Sequence, residues 1–315
     1  MKLLALILTG LLLSACAASK DAPLPTPDPT LPAGIATDES GMPSLEVYVA
    51  AEETISAMDI ETYVMGVVAG EMKNDWPLEA LKAQAILART FVVRFVSEKE
   101  SRYQGADIST DISEAQAYNE AAINDHVRLA VEETAGQVLV TSSGTLPYTW
   151  FHAHSGGMTA LAREGLGWKE AEPSHTVITE GLDSPDAPPE AKAWSADFPA
   201  GEFLAACRKV GADPLGIDDI SIYEKGGSGR AVTLMADGEK IPAAELRIAL
   251  GSTVMRSTLL TELSSDGKTV HMEGRGYGHG VGMPQWGAYA LAQDGYTGEE
   301  IALHYYNDLR VVKMW

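Results

Sequence analysis

The 315-residue chain carries 44 acidic and 23 basic side chains, which gives a formal net charge of −21. Such acidity argues against sequence-independent binding to nucleic acid and against electrostatic adhesion to an anionic membrane, because both partners are negatively charged. It does not exclude a neutral polysaccharide as a ligand. The length is sufficient for one large domain or two small ones.

The first sixteen residues have the pattern of a secretory signal. A short basic start is followed by an apolar run at 3–13 that is too short to span a membrane. The run ends in Leu-Ser-Ala-Cys at 13–16, which resembles a bacterial lipobox. This predicts cleavage before Cys16 and lipidation of its thiol. The alternative is an ordinary signal peptide that happens to contain a cysteine.

Residues 17–43 are small, polar and rich in proline. Such a segment cannot bury a core, so it predicts a disordered, flexible tether between the signal peptide and a folded part at 44–315. A lipid anchor followed by this tether would hold the folded part off the membrane and within reach of the cell wall. The expected location is therefore extracytoplasmic and membrane-anchored.

A single acid, Glu71, lies in a predicted loop-like break between two helical patterns in the stretch 63–94. Gly70, directly before it, is expected to loosen the chain. The first pattern has apolar residues at the spacing of one buried helix face, and Asp59 lies where an N-cap is expected. The second pattern begins after Pro77, a residue suited to the first turn of a helix. Its apolar residues cover most of its circumference, which predicts a largely buried helix.

Lys82, Gln84 and Arg89 lie within this second, apolar pattern. Cations in a buried helix need a partner or a ligand. An acid at the mouth of such a helix, with two cations and an amide nearby, is a candidate site. The alternative is that Glu71 forms a buried ion pair with Lys82 or Arg89.

Two long blocks resemble the SpoIID/LytB family of cell-wall proteins. They are GEMKNDWPLEALKAQAILARTF at 70–91 and GRGYGHGVGMPQWGAYALAQDGYTGEEIALHYYNDLRV at 274–311, in the family's order, and the likeness runs from about residue 45 to the C-terminus. The resemblance implies peptidoglycan lytic transglycosylase activity. A single carboxyl group, here Glu71, would protonate the bond between N-acetylmuramic acid and N-acetylglucosamine. It would then accept the proton of the muramic 6-hydroxyl, which closes a 1,6-anhydro ring.

Polar and aromatic residues near these blocks predict the substrate-binding surface. Some lie in the apolar helix, two resemble the family's Q-x-Y element, one lies in its serine/glycine element, and three would project from the glycine-rich turn of the second block. They are Lys82, Gln84, Arg89, Gln116, Tyr118, Ser155, His279, Gln285 and Trp286.

His152 and His154 raise the question of a metal. Two residues apart on a strand, they lie on one face and make half of a tetrahedral zinc site. Some family members bind zinc through a cysteine where this chain has Ser155. We therefore predict no cofactor, with both histidines lining a saccharide groove, and zinc as the alternative.

The element pattern predicts an α+β protein, in which a helical lobe carrying the acid packs on β-rich parts. It also predicts a strand pair at 137–141 and 147–152 and a long surface excursion at 163–189.

The predicted partners are peptidoglycan glycan strands, a membrane through the lipid anchor, and a cell-wall amidase, with no nucleic acid. The expected process is sporulation or cell-wall remodelling. Because LytB-type relatives modify amidases, the alternative function is a non-catalytic, peptidoglycan-binding enhancer of an N-acetylmuramoyl-L-alanine amidase.

Overall fold

The computed structural model describes residues 30–32, 34–39 and 41–315. The predicted signal peptide, its lipidation site Cys16 and the predicted tether up to residue 29 lie outside the described residues.

Helices and small sheets alternate along the described chain, which confirms the α+β class. The α-helices are α1 Ile60–Glu71, α2 Leu78–Glu98, α3 Asp125–Glu133, α4 Ala162–Leu166, α5 Pro189–Lys192, α6 Ala200–Lys209, α7 Ala243–Ala249, α8 Gln285–Gln293 and α9 Gly298–His304. The strands are β1 Ala36–Thr37, β2 Pro43–Val49, β3 Thr54–Asp59, β4 Ile108–Ser109, β5 Gln137–Thr141, β6 Phe151–His152, β7 Ala193–Pro199, β8 Ile220–Lys225, β9 Ala231–Ala236, β10 Glu239–Pro242, β11 Leu260–Ser265, β12 Thr269–Arg275, β13 Met283–Pro284 and β14 Leu309–Lys313.

The helix α1 begins where its sequence predicts and extends to Glu71. Asp59 is the N-cap, and its carboxylate accepts a hydrogen bond of 2.9 Å from the backbone N–H of Thr62. The helix continues through Gly70 and ends at Glu71, because Met72 is extended. Glu71 is therefore the last residue of a helix, where the sequence predicted a loop-like break.

The helix α2 is the axis of the larger hydrophobic core. It buries 13 of its 21 residues and packs against α1, α3, α8, α9 and β5. This agrees with the nearly all-apolar circumference of its sequence. A second hydrophobic cluster forms between residues 194 and 272, where α6 and α7 cover the sheets β7–β12–β11 and β8–β9–β10.

The predicted pairing of 137–141 with 147–152 is wrong. β5 pairs antiparallel with β14, and the short β6 pairs parallel with β13. The chain does turn after Thr141, but Pro147 has no N–H to continue a ladder. The hydroxyl of Thr149 instead donates to the carbonyl of Leu87, 2.9 Å away, in α2.

Two segments predicted to lie outside the core belong to the fold. Ile35 is 7% exposed and the neighbouring β1 pairs with β2, so the folded part begins before residue 44. The segment 163–189 buries Glu164, His175 and Ser184, and is therefore more than a surface excursion. Because the buried side chains of this segment are polar, the hydrophobicity of the sequence did not indicate their burial. Among the described residues, no helix is both long and apolar enough to cross a membrane.

Candidate functional site

The carboxyl group of Glu71 lies partly buried at the C-terminal end of α1. Its Oε1 accepts a hydrogen bond of 2.7 Å from the backbone N–H of Ala117. Burial raises the pKa of Glu71 from 4.5 to about 7, and the Ala117 hydrogen bond only partly opposes this. The group can therefore be protonated or ionised near neutral pH.

Two glycines let the segment 116–118 lie directly on α1. A Cβ on Gly66 would come within 2.1 Å of the Tyr118 ring, and one on Gly70 within 2.8 Å of the Ala117 backbone. These contacts bring the Ala117 N–H to Glu71. Gly70 is thus needed for close packing inside a helix, whereas the sequence suggested that it loosens the chain.

The second sequence block reaches the acid through α8. The side-chain Nε2 of Gln285 donates to the backbone oxygen of Glu71 at 3.0 Å, across 214 residues of sequence. The adjacent Trp286 packs on Trp76, with ring centroids 4.5 Å apart. The ammonium group of Lys73 lies 5.8 Å from the Trp286 ring centroid. Both Gln285 and Trp286 were predicted to face a substrate. In the structure, Gln285 contacts the backbone of Glu71 and Trp286 packs on Trp76.

The predicted cations bind other acids. Lys82 Nζ lies 2.6 Å from both Glu79 and Glu133, and Arg89 Nε donates to Glu61 at 3.0 Å. The expected alternative, a buried ion pair, is thus formed by Arg89, but with Glu61 instead of Glu71. Sequence reasoning missed Glu61, which looks like an ordinary acidic residue in the first turn of a helix.

The burial of Arg89 and Gln84 corrects their predicted contact with a substrate. Both side chains are 0% exposed, so neither reaches a glycan bound at the surface. Gln116 is 4% exposed, and the amide groups of Gln84 and Gln116 have no hydrogen-bond partner in the described part of the chain. Tyr118 packs on Tyr63, with ring centroids 5.5 Å apart.

The serine/glycine element is folded around an acid that the sequence did not indicate. The backbone N–H of Ser155 donates to Asp183 at 2.9 Å, and its hydroxyl donates to the same carboxylate. Ser155 is 0% exposed, which corrects its predicted contact with a substrate. Asp183 lies in the predicted excursion, where no spacing or motif distinguishes it.

The two histidines of the predicted zinc alternative have different hydrogen-bond partners. The Nδ1 of His154 accepts from Gly156 N–H at 3.0 Å and lies 3.4 Å from Asp183. His152 instead donates through Nδ1 to the carbonyl of Val281 at 3.2 Å. The two rings thus have different partners through Nδ1, and Nε2 of His152 has no hydrogen-bond partner within the described residues. Among those residues, the side chains whose ligand atoms lie close enough together for a metal ion are Glu262, His271 and Glu273, so zinc at the two histidines stays an alternative that the structure does not test.

His279 lies beside the first of these histidines. Its ring centroid is 5.6 Å from that of His152. Burial lowers the pKa of His279 to about 3, so the ring is neutral at physiological pH. Its Nδ1 accepts from the N–H of Val281 at 3.0 Å.

A groove of about 550 Å³ lies next to α8. The backbone N–H of Ser184, in its lining, donates to the carbonyl of Trp286 at 3.1 Å, and Gln285 in turn bonds Glu71. The start of α8 therefore lies between the groove and the acid. The lining residues are His154, Gly156, Gly157, Met158, Glu180, Leu182, Asp183, Ser184, Pro185, Lys192 and Arg275.

The family model described as "Stage II sporulation protein" matches residues 48–140, which include Glu71. The chain is 30% identical over 292 residues to "Stage II sporulation protein D" of Bacillus subtilis, which covers 88% of this chain and 81% of that protein. It is 31% identical over 259 residues to an uncharacterised protein of Brachyspira hyodysenteriae, with 82% and 68% covered. An "Amidase enhancer" of Bacillus subtilis is 27% identical over 288 residues, but only 39% of that protein is covered.

An α+β chain with these two sequence blocks and this extent of similarity belongs to the SpoIID/LytB family. Relatives in the family are named for sporulation and for enhancing an amidase. Membership therefore indicates a role at the cell wall and a location outside the cytoplasm.

Proposed function

We propose that this protein is a peptidoglycan lytic transglycosylase, with Glu71 as its single acid and base. The observation that carries the proposal is the state of the Glu71 carboxyl group. It is partly buried, its pKa is raised to about 7, and Oε1 accepts its hydrogen bond from a neutral backbone N–H. No described cation bonds to it, so nothing offsets the effect of burial as an ion pair would.

The proposed reaction begins with the protonated acid. Glu71 gives its proton to the glycosidic oxygen, the bond from that oxygen to C1 of N-acetylmuramic acid breaks, and positive charge develops on the sugar ring. The new carboxylate lies beside that charge and stabilises it. It then takes the proton of the 6-hydroxyl while the hydroxyl oxygen bonds to C1. The product is a 1,6-anhydro end, the proton is back on Glu71, and no water is consumed.

Two hydrogen bonds prepare Glu71 for this exchange. The Ala117 N–H holds Oε1, which leaves Oε2 available for the substrate. Gln285 binds the backbone oxygen of Glu71 and so fixes the end of α1. The partial negative charge at a helix C-terminus also disfavours the ionised acid, which supports proton donation.

The variant Glu71→Gln tests the proposal. Glutamine can still accept from Ala117, so we expect a folded protein that releases no anhydro-muropeptides from purified peptidoglycan, as measured by mass spectrometry. Asp75→Asn is the matched control, because it removes an equal charge from an exposed residue four positions away and should leave release unchanged. Wild-type release by a folded Glu71→Gln protein would contradict the proposal.

The second candidate is a non-catalytic enhancer of a cell-wall amidase. Similarity to a protein named "Amidase enhancer" favours it. It predicts glycan binding and faster amidase turnover without anhydro products, equally in wild type and Glu71→Gln. In both cases attachment through a lipidated Cys16 remains part of the proposal, and mass spectrometry of the membrane-bound protein would test it.

A further inference from the structure

The outer face of the sheet β7–β12–β11 brings together four side chains of the kinds that bind metal ions. Alternate residues of β12 are buried in the second hydrophobic cluster, so His271 and Glu273 both lie on the opposite face. Glu262 of β11 is directly opposite Glu273, and Asp197 of β7 is directly opposite His271. Residues that pair across neighbouring strands share a face, so all four side chains lie on the outside of the sheet.

The two glutamates of this face need a positive charge between them. Like charges that lie directly opposite each other on antiparallel strands destabilise the pair. Within residues 41–315, neither Glu262 nor Glu273 forms an ion pair with a lysine or an arginine. A divalent cation would offset both negative charges, which the single charge of a protonated His271 cannot do.

The ring of His271 is held in the orientation of a metal ligand. Its Nδ1 lies 2.6 Å from Oδ1 of Asp197, and because a carboxylate only accepts, Nδ1 is the donor. This hydrogen bond leaves Nε2 of the neutral ring with a lone pair for an ion. It also raises the pKa of His271, and a more basic imidazole is a stronger ligand. Histidines that bind metals are commonly oriented by a carboxylate in this way.

The distances between the remaining atoms match those between ligands of one small ion. Nε2 of His271 lies 3.6 Å from Oε1 of Glu273, which is too long for a hydrogen bond. Two ligand atoms at about 2.1 Å from a tetrahedral zinc ion are roughly 3.4 Å apart. The ligand atoms of Glu262, His271 and Glu273 all lie within 4.8 Å of one another. Glu262 is exposed, so its side chain can rotate towards the other two.

We propose that Glu262, His271 and Glu273 bind a zinc ion on the outer face of this sheet, with Asp197 orienting the imidazole. One imidazole and two carboxylates favour Zn²⁺ over Mg²⁺ and Ca²⁺, which prefer oxygen ligands alone. Water would take the fourth position. The ion would join β11 to β12 on the side of the sheet that faces away from the second hydrophobic cluster, and so stabilise the folded sheet.

Calorimetric titration of the chelator-washed, full-length protein with zinc chloride tests the proposal. Wild type should bind one equivalent of zinc more than His271→Gln, whether or not His152 and His154 bind a second ion. Saturating zinc should also raise the melting temperature of wild type by more than that of His271→Gln, because the ion binds the folded sheet. Asp197→Ala should weaken binding about tenfold, since it removes the group that orients the ring.

Glu273→Gln gives the same comparison through a second ligand, and it should also lose one equivalent of zinc. The matched controls are His304→Gln in α9 and Glu239→Gln in β10, both exposed and outside the set of ligands. Each control should bind zinc as wild type does. None of these measurements depends on glycan cleavage, so their outcome is independent of the chemistry proposed for Glu71.

Equal zinc stoichiometry in wild type and His271→Gln overturns the proposal, as does the absence of zinc binding at submillimolar concentration. Titrations with magnesium and calcium chloride complete the test. If either ion binds as tightly as zinc and His271→Gln has no effect, the face attracts cations only by its negative charge, and the proposal is equally overturned.

Discussion

At the scale of single residues, the position of Glu71 determines what its carboxyl group can do. It lies at the negative end of α1, partly buried, with one oxygen bonded to the Ala117 N–H. These surroundings favour the protonated form, and a general acid is most effective when its pKa lies near the working pH.

The raised pKa predicts the pH dependence of glycan cleavage. Only protonated Glu71 can act on the first bond, so kcat/KM should fall above the pKa of about 7, approaching tenfold per pH unit. Initial rates of anhydro-product release between pH 5 and pH 9 measure this. A rate that stays level or rises through pH 8 would contradict Glu71 as the acid.

The same pKa predicts a dependence of stability on pH. The folded state holds the Glu71 proton up to about pH 7, whereas an ordinary glutamate releases it near 4.5. Stability from this group is thus fully present below pH 4.5 and is lost as the pH rises through 7. Glu71→Gln should therefore raise the free energy of unfolding relative to wild type by about 1–3 kcal/mol at pH 8. At pH 4 it should not, and urea titrations at both values provide the comparison.

At the scale of elements, α1 and the segment 116–118 are in contact because Gly70 has no side chain. A Cβ there would lie 2.8 Å from the backbone of Ala117, which cannot move aside as a flexible side chain can. The contact also carries the hydrogen bond to Glu71.

Gly70→Ala should therefore destabilise the protein by about 1–3 kcal/mol and lower activity, although alanine is the better helix former. The control is Gly201→Ala in α6, where a Cβ meets nothing within 4 Å. That change should stabilise by up to about 1 kcal/mol. Urea unfolding measures both. If the two variants shift stability in the same direction, the proposed contact is not what requires glycine at position 70.

The sequence predicts those helices whose pattern of residues is local. The apolar spacing and Asp59 predict α1, and the apolar circumference predicts the burial of α2. The strand that pairs with β5 could not be predicted from the sequence, because a strand's neighbour depends on contacts distant in sequence. Asp183 was hidden for a related reason, since its importance comes from contacts with Ser155, 28 residues away.

At the scale of the whole molecule, Glu61 joins several parts of the fold. Its carboxylate accepts from Arg89 in α2, from the Gly136 N–H at 2.9 Å and from the Trp315 indole at 3.1 Å. Loss of one charge would leave the other buried without an opposite charge, although its other hydrogen bonds would remain. The described residues form two large hydrophobic clusters and a small one around Ala160, Ala162 and Val281, and one domain at 44–315 stays a prediction.

Arg89→Met should cost about 3–5 kcal/mol of stability, because it leaves the Glu61 charge uncompensated. The fraction that remains folded should cleave glycan at the wild-type rate. The exposed Arg163→Gln should change stability by less than about 0.5 kcal/mol. Urea unfolding and activity per folded molecule separate the two effects. Normal stability with lost glycan binding would contradict this prediction and support the substrate-binding role that the sequence predicts for Arg89.

The hydrogen bond from Gln285 to Glu71 has a practical consequence for anyone who shortens this gene. The segment that matches the family model, 48–140, contains the acid but neither Gln285 nor the groove. A fragment cut to those boundaries would contain the family motif around Glu71 but not the residues of α8 that contact it. Transplanting the motif into another scaffold would meet the same obstacle unless the distant glutamine travelled with it.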